Sequence, residues 1–282
     1  MEKLLKYFLS LLIIFCFACD IEHLSIEERK KRAAFKWQEF LDGGGYHQGS
    51  PANMKAITEI LKLDPNHCDA LRERSIPYLK RGMPEQWKKY MDQAVACDST
   101  RWIGWRGYLY LYFYRDYAKA IADFDATDTL TPQHIDAPQG HSVDYWRGHA
   151  YLGAKNYEKS LFYYNKHIEK VTADFGEDWV EPDTFLNIAI AHYENQSIDS
   201  MPHYLDKALY YYQDKNADSK YYYALYQQAK GNSQEALEWV DKGIKDFFNG
   251  HSKERPYIEE IKQVYVEQLI ELEKALKNPT KR

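Results

Sequence analysis

The chain has 282 residues, of which 45% are hydrophobic and 16% aromatic, and its formal net charge at pH 7 is −5. This length is enough for a large core or an extended stack of repeats. The mild acidity disfavours a nucleic-acid-binding protein, which needs a basic face. Tyrosine is abundant while glycine and proline are modest, which favours helices joined by short turns over a many-stranded sheet.

The first eighteen residues have the pattern of a secretory signal. Lys3 and Lys6 precede an apolar run over residues 7–18, which is shorter than the roughly 20 residues of a membrane-spanning helix. The Ala18-Cys19 pair that follows resembles the lipobox of bacterial lipoproteins. The resemblance implies cleavage before Cys19 and lipid attachment to its thiol. Acyl chains of the palmitate type would then tether the mature chain to a membrane without crossing it.

Two alternatives to lipid attachment remain open, namely ordinary cleavage after Ala18 and an uncleaved anchor. Cys16 and Phe17 depart from the residues usual in a lipobox. Asp20 and Glu22 follow the cysteine; acidic residues there resemble an inner-membrane retention signal in enteric bacteria and a surface-export signal in the Bacteroides group. We therefore expect a location in the bacterial cell envelope, facing the periplasm or the cell surface, with the membrane undetermined.

Two segments of the chain repeat each other. The segments that begin at Trp105 and Trp146 both read Trp-Arg-Gly, and both later place a small residue, Ala120 or Ser160, three positions after a tyrosine. This pattern resembles the tetratricopeptide (TPR) repeat, a 34-residue helix pair with small residues at positions 8 and 20. The same phase gives about six units over residues 34–250. The resemblance implies an all-α stack of helical hairpins in a right-handed solenoid, because one pair cannot bury its apolar side alone.

The segments that flank the repeats carry their own signals. Residues 19–33 read as a tether and the start of a helix near position 26, where Ser25 and Glu28 form a predicted capping box. Residues 251–282 contain an amphipathic pattern from about Pro256 to Lys277. This pattern predicts a C-terminal helix that caps the stack, followed by a short tail.

Two inserts, residues 129–142 and 172–184, interrupt the 34-residue period. They are either plain loops that space the helices or loops that carry function. His134 and His141 in the first insert, and the acidic side chains of the second, could bind a metal ion only weakly. The acidic residues do not have the spacing of an EF-hand, so no metal and no cofactor is predicted.

The sequence has no recognisable catalytic motif. HExxH, GxSxG, phosphate-binding and Rossmann patterns are missing. Gly43, Gly44 and Gly45 lack the partners of a Walker loop and predict a turn. We therefore predict a protein that is not an enzyme; a pocket with a perturbed carboxylate or a histidine pair would argue otherwise.

Two cysteines of the repeat region, Cys68 and Cys97, fall at positions 1 and 30 of one unit. Both would lie at the same edge of the helix pair. An exported compartment permits a disulfide, provided that the Cα atoms come within about 7 Å. The sequence alone leaves both alternatives open, a disulfide and two independent buried thiols.

A binding site is expected on the concave face of the stack, which TPR proteins build from the first helix of each pair. The matching positions hold Arg72, Lys80, Tyr108, Tyr112, Tyr145, His149, Tyr193, Tyr221 and Gln228. Tyrosine combines apolar area with a hydroxyl, which suits recognition, although the same residues also suit packing between helices. The Lys/Asn clamp of chaperone-binding TPR proteins is not reproduced, so its carboxylate ligand is not expected.

Together these features predict a membrane-anchored scaffold that binds an unidentified protein or peptide at the cell envelope. The alternative is an envelope lipoprotein that binds a glycan or small molecule with groove aromatics. Exposed aromatic rings with few charges would favour a glycan, and a long groove with mixed charges would favour a peptide. No nucleic-acid partner is expected.

Overall fold

A computed structural model describes residues 23–44 and 46–278, and within these ranges the chain is helical with no β-strand. The predicted signal and Cys19, the predicted site of lipid attachment, lie outside the described residues. None of the described helices combines the length and the apolar character that a membrane crossing requires.

Thirteen α-helices follow one another in the described part of the chain. They are α1 (Ile26–Asp42), α2 (Pro51–Leu63), α3 (Cys68–Lys80), α4 (Pro84–Cys97), α5 (Ser99–Phe113), α6 (Tyr117–Leu130), α7 (Val143–Gly153), α8 (Tyr157–Phe175), α9 (Pro182–Glu194), α10 (Met201–Tyr211), α11 (Ala217–Ala229), α12 (Ser233–Phe248) and α13 (Val266–Lys277). Consecutive helices pair as hairpins from α1/α2 to α11/α12, and α13 packs against α12. The predicted all-α fold of helical hairpins is confirmed.

The chain forms two compact units, Met1–Trp102 and Ile103–Arg282. In the first unit, α1 begins with the predicted capping box. The Ser25 hydroxyl accepts a hydrogen bond from the Glu28 amide at 3.2 Å, and the Glu28 carboxylate accepts one from the Ser25 amide at 2.9 Å. Helix α1 ends in a turn at Gly43 and Gly44, as predicted, while Gly45 lies outside the described residues.

The core of the first unit joins α1, α2 and the start of α3. Apolar side chains spaced along one face of each helix meet in one buried cluster, which comprises Ala33, Phe40, Ile57, Ile60, Leu63 and Ala70. Cys68 and Cys97 are joined as a disulfide, with their Cα atoms 5.5 Å apart. The bond connects the first residue of α3 to the last residue of α4 and so closes that hairpin at one edge.

In the second unit, small residues let paired helices approach closely. A Cβ atom on Gly148 of α7 would lie 2.5 Å from the Tyr164 ring of α8, which is too close for any larger side chain. The Ser160 hydroxyl of α8 donates a hydrogen bond to the Gly148 carbonyl at 2.9 Å. Gly107 of α5 meets Phe124 of α6 in the same way, at 2.8 Å. The small residues of the repeat pattern therefore set the distance between the two helices of a pair.

The prediction of a helix from about Pro256 is wrong, because α13 begins only at Val266. Tyr257 and Lys262 have φ angles of 74° and 61°, which an α-helix cannot contain. The apolar spacing that suggested a helix has a different cause: Ile261 and Val264 are buried as anchors of an irregular segment.

Candidate functional site

The predicted groove residues fall into separate places. Arg72 and Lys80 belong to α3 in the first unit. The Arg72 guanidinium pairs with the Glu73 carboxylate at 2.9 Å and lies 5.4 Å from the centre of the Trp102 ring. Arg72 therefore has local partners in its own unit, and Lys80 is exposed at the end of α3.

Four of the predicted residues, all in the second unit, form one aromatic cluster. Tyr108 and Tyr112 of α5 have ring centres 5.4 Å apart, and Tyr145 and His149 of α7 have ring centres 4.3 Å apart. All four are buried, with Tyr112 only 2% exposed. The expectation that they line an open groove needs correction, since another part of the chain covers them.

The remaining three predicted residues lie on α9 and α11. Tyr193 is half-buried and packs edge-on against Tyr222, with ring centres 5.8 Å apart. Tyr221 is half-buried against the cluster formed by α11, α12 and α13. Gln228 is exposed near the end of α11.

Residues 251–265, which we call the groove segment, cover the aromatic cluster. The segment runs between α12 and α13 and lies against the first helices of four hairpins. The Arg255 guanidinium stacks over the Tyr112 ring at 4.2 Å and reaches the Tyr108 ring at 5.8 Å. A cation over an aromatic face is attractive, and more so where water is excluded.

Glu260 of the groove segment contacts both Arg255 and Tyr112. Its carboxylate pairs with Arg255 Nε at 3.0 Å and accepts a hydrogen bond from the Tyr112 hydroxyl at 3.2 Å. Burial raises the pKa of Tyr112 well above its ordinary value, and the Glu260 charge adds to this effect. The Tyr112 hydroxyl therefore remains protonated and acts as a donor. One residue of α5 thus contacts two oppositely charged side chains of the segment.

Asp218 in the first turn of α11 binds the segment by its backbone. Its two carboxylate oxygens accept hydrogen bonds from the amides of Lys253, at 2.9 Å, and Val264, at 3.2 Å. The Ala217 amide donates to the His251 carbonyl at 2.8 Å, and Arg115 donates to the Glu259 carbonyl. Contacts to the main chain are the kind a protein uses to hold an extended peptide.

A chain of hydrogen bonds connects Lys253 to the floor of the cluster. The Lys253 ammonium lies 3.4 Å from Asn187 Oδ1, and Asn187 Nδ2 lies 3.1 Å from His149 Nε2. His149 Nδ1 faces the Tyr145 carbonyl at 3.0 Å, so Nδ1 carries the proton and Nε2 accepts. Burial, assisted by the nearby Lys253 charge, lowers the pKa of His149 well below its usual value, which keeps the imidazole neutral in this arrangement.

Sequence reasoning missed Asn187, Asp218, Lys253, Arg255 and Glu260. Glu260 fell inside the predicted C-terminal helix, and Lys253 and Arg255 fell just before it, so no partner was predicted for any of the three. A usable signal existed at Asn187, a single amide inside the apolar run of α9, since a buried amide requires hydrogen-bonding partners. Asp218 carried no comparable signal, because acidic residues are common in the first turn of a helix.

The two inserts meet at a cleft of about 940 Å³ in the second unit. Phe175 and Trp179 are 69% and 72% exposed at its rim, with ring centres 6.3 Å apart. Charged side chains also line it, and each already has a partner: Lys166 with Asp144, Lys170 with Asp174, and Asp128 with Arg147. A glycan site was expected to have exposed aromatic rings and few charges. The cleft has the exposed rings, but it also has many charged side chains.

In the wall of this cleft, Glu181 lies between two histidines. Its oxygens lie 2.5 Å from His141 Nδ1 and 2.7 Å from His167 Nε2, and His167 Nδ1 contacts the Ser142 hydroxyl at 2.9 Å. Burial opposes ionisation of Glu181, but the hydrogen bonds from both imidazoles outweigh it and lower the pKa of the carboxyl. A carboxyl that stays ionised is unsuited to act as a general acid.

Ser142 is also committed elsewhere, because its hydroxyl accepts the Tyr145 amide as the N-cap of α7. We interpret the Ser142–His167–Glu181–His141 chain as a structural connection between the two inserts. Within residues 23–44 and 46–278, no three His, Cys, Asp or Glu side chains converge in a way that could hold a metal ion.

Comparison with solved structures identifies the class of fold. The chain has the fold of TPR proteins. It is similar to PilW, described as a widely conserved type IV pilus biogenesis factor, with a TM-score of 0.58 and 17% identity over 79% of this chain and 93% of PilW. It is also similar to Pseudomonas aeruginosa PilF, with a TM-score of 0.55 and 17% identity over 80% of this chain and 94% of PilF.

A TPR protein from Parabacteroides merdae is a third similar structure, with a TM-score of 0.51 and 14% identity over 89% of this chain and the whole of that one. No protein-family model matches the sequence, and no curated protein matches it. At these identities the similarity establishes the fold alone.

We expect Asp218→Asn to change how the free energy of unfolding depends on pH. Burial raises the pKa of Asp218 to about 6, whereas an unfolded aspartate titrates near about 3.9. Between these values the folded chain holds a proton that the unfolded chain lacks, so the stability from this group falls as pH rises. The wild-type advantage over the variant should be larger at pH 5 than at pH 7 by about 1 kcal/mol.

Urea unfolding at both pH values measures this difference. Asp199→Asn is the control, because that side chain is 83% exposed. An advantage that is equal at both pH values, or larger at pH 7, would contradict the assignment.

Proposed function

We propose that this protein is a lipid-anchored, non-enzymatic scaffold of the bacterial cell envelope that binds a protein or peptide segment of a partner. One observation carries the proposal: an irregular stretch of polypeptide, the groove segment, already lies on the face of the second unit formed by α5, α7, α9 and α11, the first helices of their hairpins (the first-helix face). Asp218, Ala217 and Arg115 bind its backbone. A face with these donors and acceptors can hold a peptide of another chain by the same contacts.

The helices supply this face in a fixed arrangement. Gly148 and Ser160 hold α7 against α8, and the His149–Asn187 hydrogen bond connects α7 to α9. Little conformational freedom is therefore lost in the scaffold when a peptide binds, which lowers the entropy cost of association. The mechanism is passive presentation of a rigid surface, and it requires no cofactor.

The envelope location rests on the N-terminal sequence and on one bond in the first unit. The apolar run over residues 7–18 and the Ala18-Cys19 pair support export and lipid attachment. The Cys68–Cys97 disulfide supports an oxidising compartment. PilW, described as a type IV pilus biogenesis factor, provides a precedent for this fold in the biogenesis of a pilus.

We expect Cys19→Ala to abolish lipid attachment. When the full chain is expressed in a Gram-negative host with radiolabelled palmitate, the wild type should carry label in the membrane fraction and the variant should carry none. Cys16→Ala is the matched control, since it removes the neighbouring cysteine and should leave labelling intact. Label that persists in Cys19→Ala, or a wild type without label, would overturn the lipoprotein assignment.

We expect a partner to contact the first-helix face in living cells. A photo-crosslinking amino acid placed at Gln228 of α11 should form a discrete crosslinked band upon irradiation. The matched control is the same amino acid at Gln234, which is also an exposed glutamine but lies on α12. Mass spectrometry of the band would identify the partner. Equal bands at both positions, or no band at Gln228, would count against a scaffold that uses this face.

A further inference from the structure

The connection between α12 and α13 is much longer than those helices require. It comprises residues 249–265, seventeen residues between Phe248 and Val266, whereas helix–helix connections commonly take about 2–8 residues. The two helices pack directly, since Leu269 of α13 lies 2.9 Å from the position of a Cβ on Gly243 of α12. The extra residues are therefore not needed to connect α12 to α13. They cover the first-helix face.

Helix α13 is also anchored without the groove segment. Leu272 shares a buried cluster with Ala224 of α11 and Val240 of α12, and Tyr221 and Leu276 pack against it. These contacts are independent of Arg255, Lys253 and Glu260. The packing of α13 therefore does not depend on these charged contacts of the segment.

The contacts between segment and face are unusually polar for an intramolecular core. Lys253 and Glu260 are each only 8% exposed, and charged residues are seldom buried to this degree unless they are paired. Lys253 lies 3.7 Å from the Asp183 carboxylate and 4.0 Å from that of Glu260. A buried ion pair often adds little net stability, and in some proteins it confers specificity instead, which is a role that a ligand-recognising surface can use.

We propose that the groove segment is a built-in ligand, and that the partner is a peptide of the same chemistry that takes its place. The recognised element is a pair of cationic side chains two residues apart, like Lys253 and Arg255. The first enters the Asp183–Asn187 site, and the second stacks on Tyr108 and Tyr112. A carboxylate that follows, like Glu260, accepts the Tyr112 hydroxyl. This inference rests on the proposed function, since it names the ligand class of the same face.

A segment tethered at both ends competes with any added peptide. The apparent affinity of the face for a free peptide is reduced by the fraction of molecules in which the face is open. Weakening the segment therefore strengthens binding of the free peptide. This effect is opposite to the loss of binding that damage to a site normally causes.

The test uses a fluorescent peptide with the sequence of residues 250–265 and the chain from residue 20 to 282. Arg255→Ala in the chain should lower the apparent dissociation constant for this peptide by about tenfold or more relative to the wild type. Lys245→Ala, an exposed cation at the end of α12, should bind like the wild type. A peptide with alanine in place of its own Lys253 and Arg255 should not bind any of the three chains.

Equal binding of the peptide to all three chains, or binding to none, would overturn the inference. Equal binding of the alanine peptide would overturn the cationic chemistry. If Arg255→Ala loses its helical circular dichroism, Lys253→Ala replaces it with the same expectation. If a partner crosslinks at Gln228 but the peptide binds Arg255→Ala no more tightly than the wild type, this inference fails and the proposed function stands. If no partner crosslinks at Gln228, the proposed function fails.

Discussion

The carboxylate of Asp218 is the contact on which the candidate site depends. It receives the amides of Lys253 and Val264, two residues that lie eleven positions apart in an irregular stretch. By holding both, it fixes where the groove segment enters and leaves the first-helix face. A carboxylate that accepts two backbone donors replaces much of the hydration that it loses, yet burial still raises its pKa.

The face itself is a consequence of helix pairing. Small residues at two positions of each repeat allow the helices of a hairpin to touch, as Gly148 and Ser160 do. On the second helix α8, Tyr164 is fully buried behind Gly148. The first helices carry most of the buried residues, and among these are Tyr108, Tyr112 and Asn187. The charged side chains of the groove segment cover these residues. The buried charges and the aromatic rings are therefore each other's contact partners.

The repeat pattern predicted the fold well, because helix pairing is local. The Trp-Arg-Gly segments and the capping box at Ser25 act over a few residues, and the structure contains each as expected. The C-terminal segment was predicted wrongly for the opposite reason. Ile261 and Val264 have helical spacing, but their positions are decided by contacts with helices far away in the sequence. A pattern within one segment does not contain the information that Asp218 will bind its backbone.

The predicted groove residues show the same contrast between what the local repeat pattern predicts and what distant contacts determine. Helical phase correctly placed Tyr108, Tyr112, Tyr145 and His149 on the first helices, since phase is a property of the repeat. Their burial under Arg255 and Glu260 depends on a loop whose course the repeat does not encode. The length of the connection after α12 was visible only once the start of α13 was known. Tertiary contacts therefore decide the chemistry of the site, while the repeats decide where it can be.

Hydrogen exchange of the wild-type chain tests the central claim most directly, because it needs no variant and no partner. The amides of Lys253 and Val264, both bound to Asp218, should be compared with those of Leu269 and Leu272 in α13. A built-in ligand that leaves its face while α13 remains packed predicts exchange at least about 100-fold faster in the segment. Equal protection in the segment and in α13 would mean that the segment opens only when the whole end of the protein unfolds, and would contradict the account.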